Sequence, residues 1–246
     1  MNDVFLSIIV PAYNEEMRLG SSLQEIFEKV GREFSRFEII VVDDGSNDRT
    51  VELAEEFGAG CNGEDTVCRV IKVSENRGKG YAVKRGMLQA SGEIALMTDA
   101  DLSTPIEELG RLASLLEREG ADIIIGSRAL ASSDVRVHQP WYREYGGKAF
   151  NLVVRAITCL PFRDTQCGFK LFRMSSCREV FERLEIDRFA FDVEILFIAR
   201  KRNLKVLEEP VIWRHSEGSK VKMLPDSAAT FIQLLRIRLK SLRGRY

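Results

Sequence analysis

Apolar runs that each close on an acidic loop constrain this chain more than any other feature. Ser7-Ile8-Ile9-Val10-Pro11 leads into Ala12-Tyr13-Asn14-Glu15-Glu16, and Val41-Val42 into Asp43-Asp44-Gly45-Ser46. Met97-Thr98 leads into Asp99-Ala100-Asp101. Helical periodicity fills the intervals: Leu19, Leu23, Ile26, Phe27 and Val30 share one face, and Gly31 stops the run. The pattern predicts strands at 6–11, 37–42, 67–73, 93–98 and 122–126, with helices at about 48–57 and 80–90. After Asp101, Thr104 reads as an N-cap, Pro105 as the first helical residue and Glu107 as the end of a capping box, with Gly120 ending the helix.

Strand and helix alternating in this way predict an α/β fold, a mostly parallel central sheet with helices on both faces. Ligands of such sheets bind outside the carboxyl ends of the strands, where the acidic loops fall. From about Ser132 the rhythm breaks. Residues 132–145 read as a polar loop, and 148–160 as a helix with Phe150, Val153, Val154, Ile157 and Leu160 on one face. A strand at 168–172, helices near 175–184 and 191–202, and a strand at 204–213 follow. No repeat or linker intervenes, so 1–246 reads as one domain, with a nucleotide-binding half at 1–130 and an acceptor-binding half at 131–246. The second half carries a C-terminal helical elaboration.

A chain of 246 residues can bury roughly 70–75% of its unfolded surface. With 36 Lys and Arg against 37 Asp and Glu, the net charge of −1 gives no case for nucleic acid as a partner. The balance hides a local excess, because Arg236, Arg238, Lys240, Arg243 and Arg245 stand in a final stretch, from Ser227 on, without an acid. Phe231, Ile232, Leu234, Leu235, Ile237, Leu239 and Leu242 interleave with these cations. That mixture suits an anionic membrane surface, or a helix packed on the sheet with a solvated basic face. Five cysteines without zinc-like spacing predict reduced thiols in a cytosolic enzyme. Met1-Asn2-Asp3 runs straight into a strand pattern, so no leader is expected, and no apolar run approaches the ~18–20 residues of a membrane span.

Asp99 and Asp101 flank one residue at a strand end, a spacing that can hold a hard divalent cation while phosphate oxygens take its other positions. Such a cation would offset charge growing on a departing diphosphate. The plain alternative is a solvated turn. Asp43-Asp44 can bind the base and ribose of a nucleotide, or serve a loop in which Ser46 or Asp48 caps the next helix. Pro11-Ala12-Tyr13-Asn14-Glu15 would set an aromatic ring beside a base and an acid near a ribose. Asn76-Arg77-Gly78-Lys79-Gly80 opens a helix with cations and glycines, attractive to phosphate but short of a full P-loop.

Arg128, in Gly126-Ser127-Arg128, ends the fifth strand, where its planar fork suits a second phosphate. Arg143 and Lys220 are further candidates. Asp164 reads as an orienting carboxylate or a loop cap, and Cys167 has no histidine close in sequence to act as its base. Asp192 and Glu194 fall in an apolar helix, where burial demands partners.

Pro11-Ala12-Tyr13-Asn14-Glu15, Asp43-Asp44-Gly45-Ser46, Asp99-Ala100-Asp101 and Gly126-Ser127-Arg128, in that order, resemble the family 2 glycosyltransferases of the Rossmann-like GT-A fold. The likeness covers nearly the whole chain. Asp164-Thr165-Gln166-Cys167-Gly168-Phe169-Lys170, Phe189-Ala190-Phe191-Asp192-Val193-Glu194 and Glu217-Gly218-Ser219-Lys220 are similar to the polyprenyl-phosphate sugar synthases, the dolichyl-phosphate β-glucosyltransferases above all.

The resemblance implies that Pro11, Ala12, Tyr13, Glu15, Val42, Asp44, Lys79, Asp99, Ala100 and Asp101 bind the nucleotide. It implies that Asp99 and Asp101 hold Mg²⁺ or Mn²⁺, and that Arg128, Arg143 and Lys220 hold phosphate. Ser103 stands where mannosyltransferase relatives place a glutamine ligand, so ligation there would pass through water. Asp99, Asp101, Arg128 and Asp164 are the expected catalytic set. Eukaryotic relatives carry an N-terminal membrane anchor. Its absence from this sequence shifts weight onto 150–160 and the basic tail as interfacial elements, and predicts a cytoplasmic protein peripheral to the cytosolic face of a membrane.

The expected reaction is inverting transfer of glucose from UDP-glucose to a polyprenyl phosphate, with the sugar and base chosen by resemblance alone. GDP-mannose as donor, a hydroxyl acceptor with Asp164 or Asp192 as base, and a non-catalytic sugar-nucleotide-binding protein are the competing readings.

Overall fold

The computed structural model describes residues 5–61, 63, 65–137, 151–214, 223–244 and 246. The strands are β1 (Leu6–Ala12), β2 (Phe37–Asp43), β3 (Thr66–Lys72), β4 (Ile94–Met97), β5 (Ile123–Ser127), β6 (Asp134–Val137), β7 (Lys170–Arg173), β8 (Val206–Pro210) and β9 (Ile212–Arg214). The helices are α1 (Leu19–Val30), α2 (Thr50–Cys61), α3 (Lys79–Gln89), α4 (Glu108–Arg118), α5 (151–158), α6 (Met174–Glu182), α7 (Phe191–Lys201) and α8 (Met223–Leu242).

Seven strands form one sheet in the order β3-β2-β1-β4-β7-β5-β8. All neighbours are parallel except at β7, which runs antiparallel to both β4 and β5. β1 and β2 are buried along their whole length, which explains their unbroken apolar sequences: a parallel strand covered on both faces has no polar side. Successive side chains feed two cores. Ile8, Val10, Ile39, Val41, Ile94 and Leu96 meet the apolar faces of α1 and α4, and Ile9, Ile40, Val42, Ala95, Met97 and Phe172 meet α3, α6 and α7.

Three local expectations are corrected. Thr104 and Glu107 build no capping box, and α4 starts only at Glu108 without a side-chain cap. Thr104 is buried with its hydroxyl beside Cys167 Sγ, and the Glu107 carboxylate pairs with Lys29 of α1. The strand expected at 204–213 divides, because Pro210, which lacks an N–H, ends the ladder with β5 and the chain crosses to pair with β6. β6 itself lies inside the expected polar loop, since pairing supplied from a distant segment creates a strand that periodicity does not signal. The halves at 1–130 and 131–246 share the sheet, and β7 of the second is wedged between β4 and β5 of the first.

That wedge is held by packing. Phe172 is wholly buried opposite Ala95 and Ile123, with its ring 5.0 Å from Phe181. Replacing Phe172 by Ala is expected to cost about 3–5 kcal/mol, read as a lower urea midpoint with an unchanged slope.

Candidate active site

The parallel strands end together, so Ala12, Asp43, Met97, Ser127 and Pro210 share one rim of the sheet. Lys170 joins them from the start of β7, opposite Met97. Loops from both halves therefore converge on this edge.

At the β1–β2 end, Asp43 folds its own loop by accepting N–H groups of Gly45 (3.1 Å) and Ser46 (3.2 Å). Asp44 accepts the backbone N–H of Arg77 (3.0 Å) and Gly78 (2.7 Å), tying the glycine-rich loop to the acids that follow β2. Burial pushes the Asp44 carboxyl above its usual range in spite of these bonds. Tyr13-Asn14-Glu15 is stapled beside it. Asn14 N–H donates to Ser46 Oγ (2.8 Å), Glu15 N–H to Thr50 Oγ1 (2.7 Å), and Glu15 pairs with Arg18 at 2.7 Å. Asn14 adopts a left-handed φ of 52°, which asparagine tolerates better than most residues. Asp48 caps α2 through Thr50 N–H (3.0 Å). Pro11 and Ala12 are buried at the strand end, and Val42 packs its side chain wholly inside the core, offering none to a ligand.

Asp99 lies at the centre of the rim. Its carboxylate forms an ion pair with Lys79, whose helix α3 begins at the loop that Asp44 holds. Burial alone would push the Asp99 carboxyl up, but Lys79, with Lys170 and Arg128 behind it, holds it below the ordinary range. The following turn closes through Leu102 N–H onto Asp99 O (3.1 Å), with Leu102 at φ 45°, a costly geometry for a bulky residue. Ala100 is buried, and its carbonyl accepts Ser22 Oγ (2.7 Å). Asp101 accepts Ser103 N–H at 2.9 Å and lies 4.0 Å from Arg18. Ser103 thus orients Asp101 through its main chain. Gly168 is pressed against Asp99 so closely that an added Cβ would fall 2.1 Å from Oδ2.

Behind this layer, Lys170 is wholly buried and donates to Asp192 and to the Cys167 carbonyl, both at 2.5 Å. Arg128 is gripped by Asp164 in two-point fashion, Nε to Oδ2 at 2.7 Å and Nη2 to Oδ1 at 2.9 Å, with Arg128 N–H adding a third bond of 3.0 Å. The Trp213 ring lies 5.6 Å from Arg128 Cζ. Burial pushes Asp164 up, but Arg128 overrides it and leaves the carboxyl below its usual range. Glu208 of β8 fixes the pair by accepting Asp164 N–H, Arg163 N–H and the Ser127 hydroxyl.

Asp99, Asp101 and Arg128 therefore share the rim that their places after strand ends predict, with Lys79 reaching Asp99 from the start of α3 and Asp164 reaching Arg128 from the loop before β7. Arg143 and Lys220 lie outside the described residues. Asp192 and Glu194 do have the partners that burial demands: Lys170 for the first, and for the second the N–H groups of Glu185 and Ile186 and the Tyr246 hydroxyl. Cys167 is buried, which pushes its thiol up and away from nucleophilic use, and all five cysteines are unpaired. Sequence reasoning missed Arg18 and Glu208 and did not single out Lys170. The one signal for the last two was a charge next to the apolar residues of a strand, Lys170 before Leu171-Phe172 and Glu208 after Val206-Leu207.

Two hard oxygen donors flanking one residue fit a divalent cation shared with phosphate oxygens. Among the described residues no cluster of three or more His, Cys, Asp or Glu forms a closed protein cage for a metal.

Comparison with solved structures gives the fold. Glucosyl-3-phosphoglycerate synthase from Mycobacterium tuberculosis, in complex with Mn²⁺, uridine-diphosphate and phosphoglyceric acid, superposes with a TM-score of 0.70 over 97% of this chain and 78% of that one, at 21% identity. Mannosyl-3-phosphoglycerate synthase from Rubrobacter xylanophilus gives 0.67 over 99% and 76%, at 19% identity. The architecture is the GT-A fold. The profile of Glycosyl transferase family 2 matches residues 7–181, and the chain belongs to that family; it is a glycosyltransferase. Among its relatives, the dolichyl-phosphate beta-glucosyltransferase of Dictyostelium discoideum is 36% identical over 99% of this chain and 77% of that protein. The human protein of the same name is 36% identical over 97% and 76%, and that of Drosophila melanogaster 39% over 88% and 69%.

Gly168→Ala is expected to lower turnover by about tenfold or more while the fold persists, because the new methyl displaces Asp99; steady-state kinetics beside a circular dichroism melt checks it. Asp164→Asn should cost roughly 2 kcal/mol above about pH 4, since it leaves a half-buried Arg128 without its charge partner. The folded Asp164 carboxyl lies below its unfolded value, so wild type loses this advantage as pH falls through the folded value, and urea unfolding against pH should show the two proteins converging in acid.

Proposed function

We propose that this glycosyltransferase transfers glucose from UDP-glucose to a polyprenyl phosphate of the dolichyl type, with inversion and with Mg²⁺ or Mn²⁺. Residues 1–130 serve the donor and 131–246 the acceptor, which is met at a membrane surface. Relatives named dolichyl-phosphate beta-glucosyltransferase, at 34–39% identity, support the sugar and the acceptor. Structures of the Mycobacterium tuberculosis glucosyl-3-phosphoglycerate synthase in complex with UDP and Mn²⁺ or Mg²⁺ support the donor base and the cation.

The observation that carries the acceptor reading is the state of the carboxylates. A hydroxyl acceptor needs a base to take its proton. Asp164 is locked onto Arg128 and held below the carboxylate range, and Asp192 is buried against Lys170. Neither is disposed to act as that base. A phosphate monoester is already largely ionised near neutrality (second pKa ≈ 6 for phosphorylated side chains) and needs only positioning and charge neutralisation.

In this reading Tyr13, Glu15 and Asp44 flank the base and ribose, with Pro11 and Ala12 shaping the floor from the strand end and Val42 offering only its main chain. Asp99 and Asp101 hold the cation, which when bound supplies charge stabilisation to the departing diphosphate. Ser103 keeps Asp101 oriented, and Lys79 adds a positive charge at the diphosphate. Arg128, its plane fixed by Asp164, holds the acceptor phosphate, with Arg143 and Lys220 as further phosphate contacts. One acceptor oxygen attacks C1 from the face opposite the diphosphate; the C1–O bond to the diphosphate breaks, and its electron pair leaves with UDP. A single displacement inverts the anomeric centre.

Purified protein is given labelled UDP-glucose or GDP-mannose with polyprenyl phosphate and Mn²⁺ or Mg²⁺, and label is extracted into the organic phase. Label is expected from UDP-glucose alone, abolished by EDTA and reduced about a hundredfold or more by Asp101→Asn. Label from GDP-mannose alone moves the donor to mannose, and donor hydrolysis without lipid label overturns the acceptor.

A further inference from the structure

Of the nine large apolar side chains exposed among the described residues, five belong to α8: Phe231 (43%), Ile232 (54%), Leu235 (43%), Leu239 (53%) and Leu242 (79%). Phe231, Leu235, Leu239 and Leu242 are spaced by four, four and three residues, so they stack in one stripe along the helix, and Ile232 widens it by one residue. The opposite face is spent on the fold. Thr230, Leu234 and Ile237 are buried, Lys240 pairs with Glu185, and Tyr246 beyond the helix packs on Phe197 and donates to Glu194. α8 therefore already has a core-facing side, and the stripe lies on its outer face.

Charge defines what can cover it. On a helical wheel Arg236 and Arg243 fall along one border of the stripe and Arg238 along the other, all exposed, and no acid follows Asp226. Pairing this face with a second copy would set cationic borders against cationic borders. A lipid surface bearing negative headgroups takes the apolar row among its acyl chains and matches both borders at once. No helix among the described residues is long and apolar enough to cross a membrane, so the contact this geometry supports is in-plane.

We propose that the outer stripe of α8 lays the enzyme on an anionic membrane surface, with Phe231, Ile232, Leu235, Leu239 and Leu242 inserted and Arg236, Arg238 and Arg243 at headgroup level. The choice of lipid over protein rests in part on the proposed polyprenyl acceptor. It goes beyond that reading by assigning the surface and its orientation: the helix axis lies parallel to the bilayer.

The test uses the full chain and sedimentation with vesicles of phosphatidylcholine, with or without phosphatidylglycerol. Wild type is expected to bind the anionic vesicles at least about tenfold more tightly than the neutral ones, with the difference shrinking as salt rises. Leu235→Gln with Leu239→Gln, both at exposed positions, should lower anionic-vesicle binding about tenfold or more. The same variant should keep wild-type turnover on a short, water-soluble polyprenyl phosphate and lose it on a long acceptor embedded in vesicles. Vesicle binding lost in the variant upholds the docking surface even if no polyprenyl phosphate is glycosylated, a result that would sink only the acceptor reading. No vesicle binding by wild type, or equal binding by the variant, overturns the proposal. So does a concentration-dependent dimer in sedimentation velocity that the two substitutions abolish.

Discussion

Charge placed at the rim of a buried sheet has to be matched, and that constraint organises both halves of this molecule. Asp99, Asp164 and Asp192 each have a cation of their own: Lys79, Arg128 and Lys170. Moving any one of these acids out of water without its partner would cost several kcal/mol. The cations come from three different elements, the start of α3, the end of β5 and the start of β7. Neutralising the acids therefore fixes how those elements converge. The result is a polar rim whose charges stand at fixed positions, as the phosphate chemistry proposed for this site requires.

Insertion of β7 makes the matching possible. A strand running antiparallel between β4 and β5 brings its leading loop, Cys167-Gly168-Phe169, between the Asp99 and Arg128 loops. Glycine at 168 admits the Asp99 carboxylate where any side chain would exclude it. Lys170, one step into the strand, reaches back to Asp192 at the start of α7. Glu208 on the neighbouring edge completes the frame by holding the Asp164 backbone and Ser127 together. The same stretch that closes the core on one side thus builds the Arg128–Asp164 side of the rim.

A second coupling runs along the first half. Asp44 grips the N–H groups of Arg77 and Gly78, and the next residue, Lys79, grips Asp99. The base-side and diphosphate-side acids of the proposed donor site are joined by this one short segment. Gly78 makes the join feasible, with φ at 119° and its Cα facing the Asp187 carbonyl, space and geometry closed to other residues.

Much of this was legible in the chain itself. Burial patterns have fixed periods, two for a strand and 3.6 for a helix, so Leu6–Ala12, Leu19–Val30 and Phe37–Asp43 announce themselves locally. Alternation of such elements dictates a parallel sheet, and a parallel sheet puts its loops at one edge. Asp44, Asp99, Asp101 and Arg128 were identifiable from that logic alone. The pairing of charges was not. Lys170 meets Asp192 across 22 residues and Arg128 meets Asp164 across 36, contacts that depend on where β7 inserts. Thr104 and Glu107 show the same limit from the other side: a sound local capping signal lost to Cys167 and Lys29, both supplied by distant segments. The sequence by itself determined which elements form and which residues crowd the rim, because period and strand polarity are local properties. Tertiary structure decided which acid is neutralised by which cation and which face of α8 is left outside, because those follow from long-range packing that no local pattern encodes.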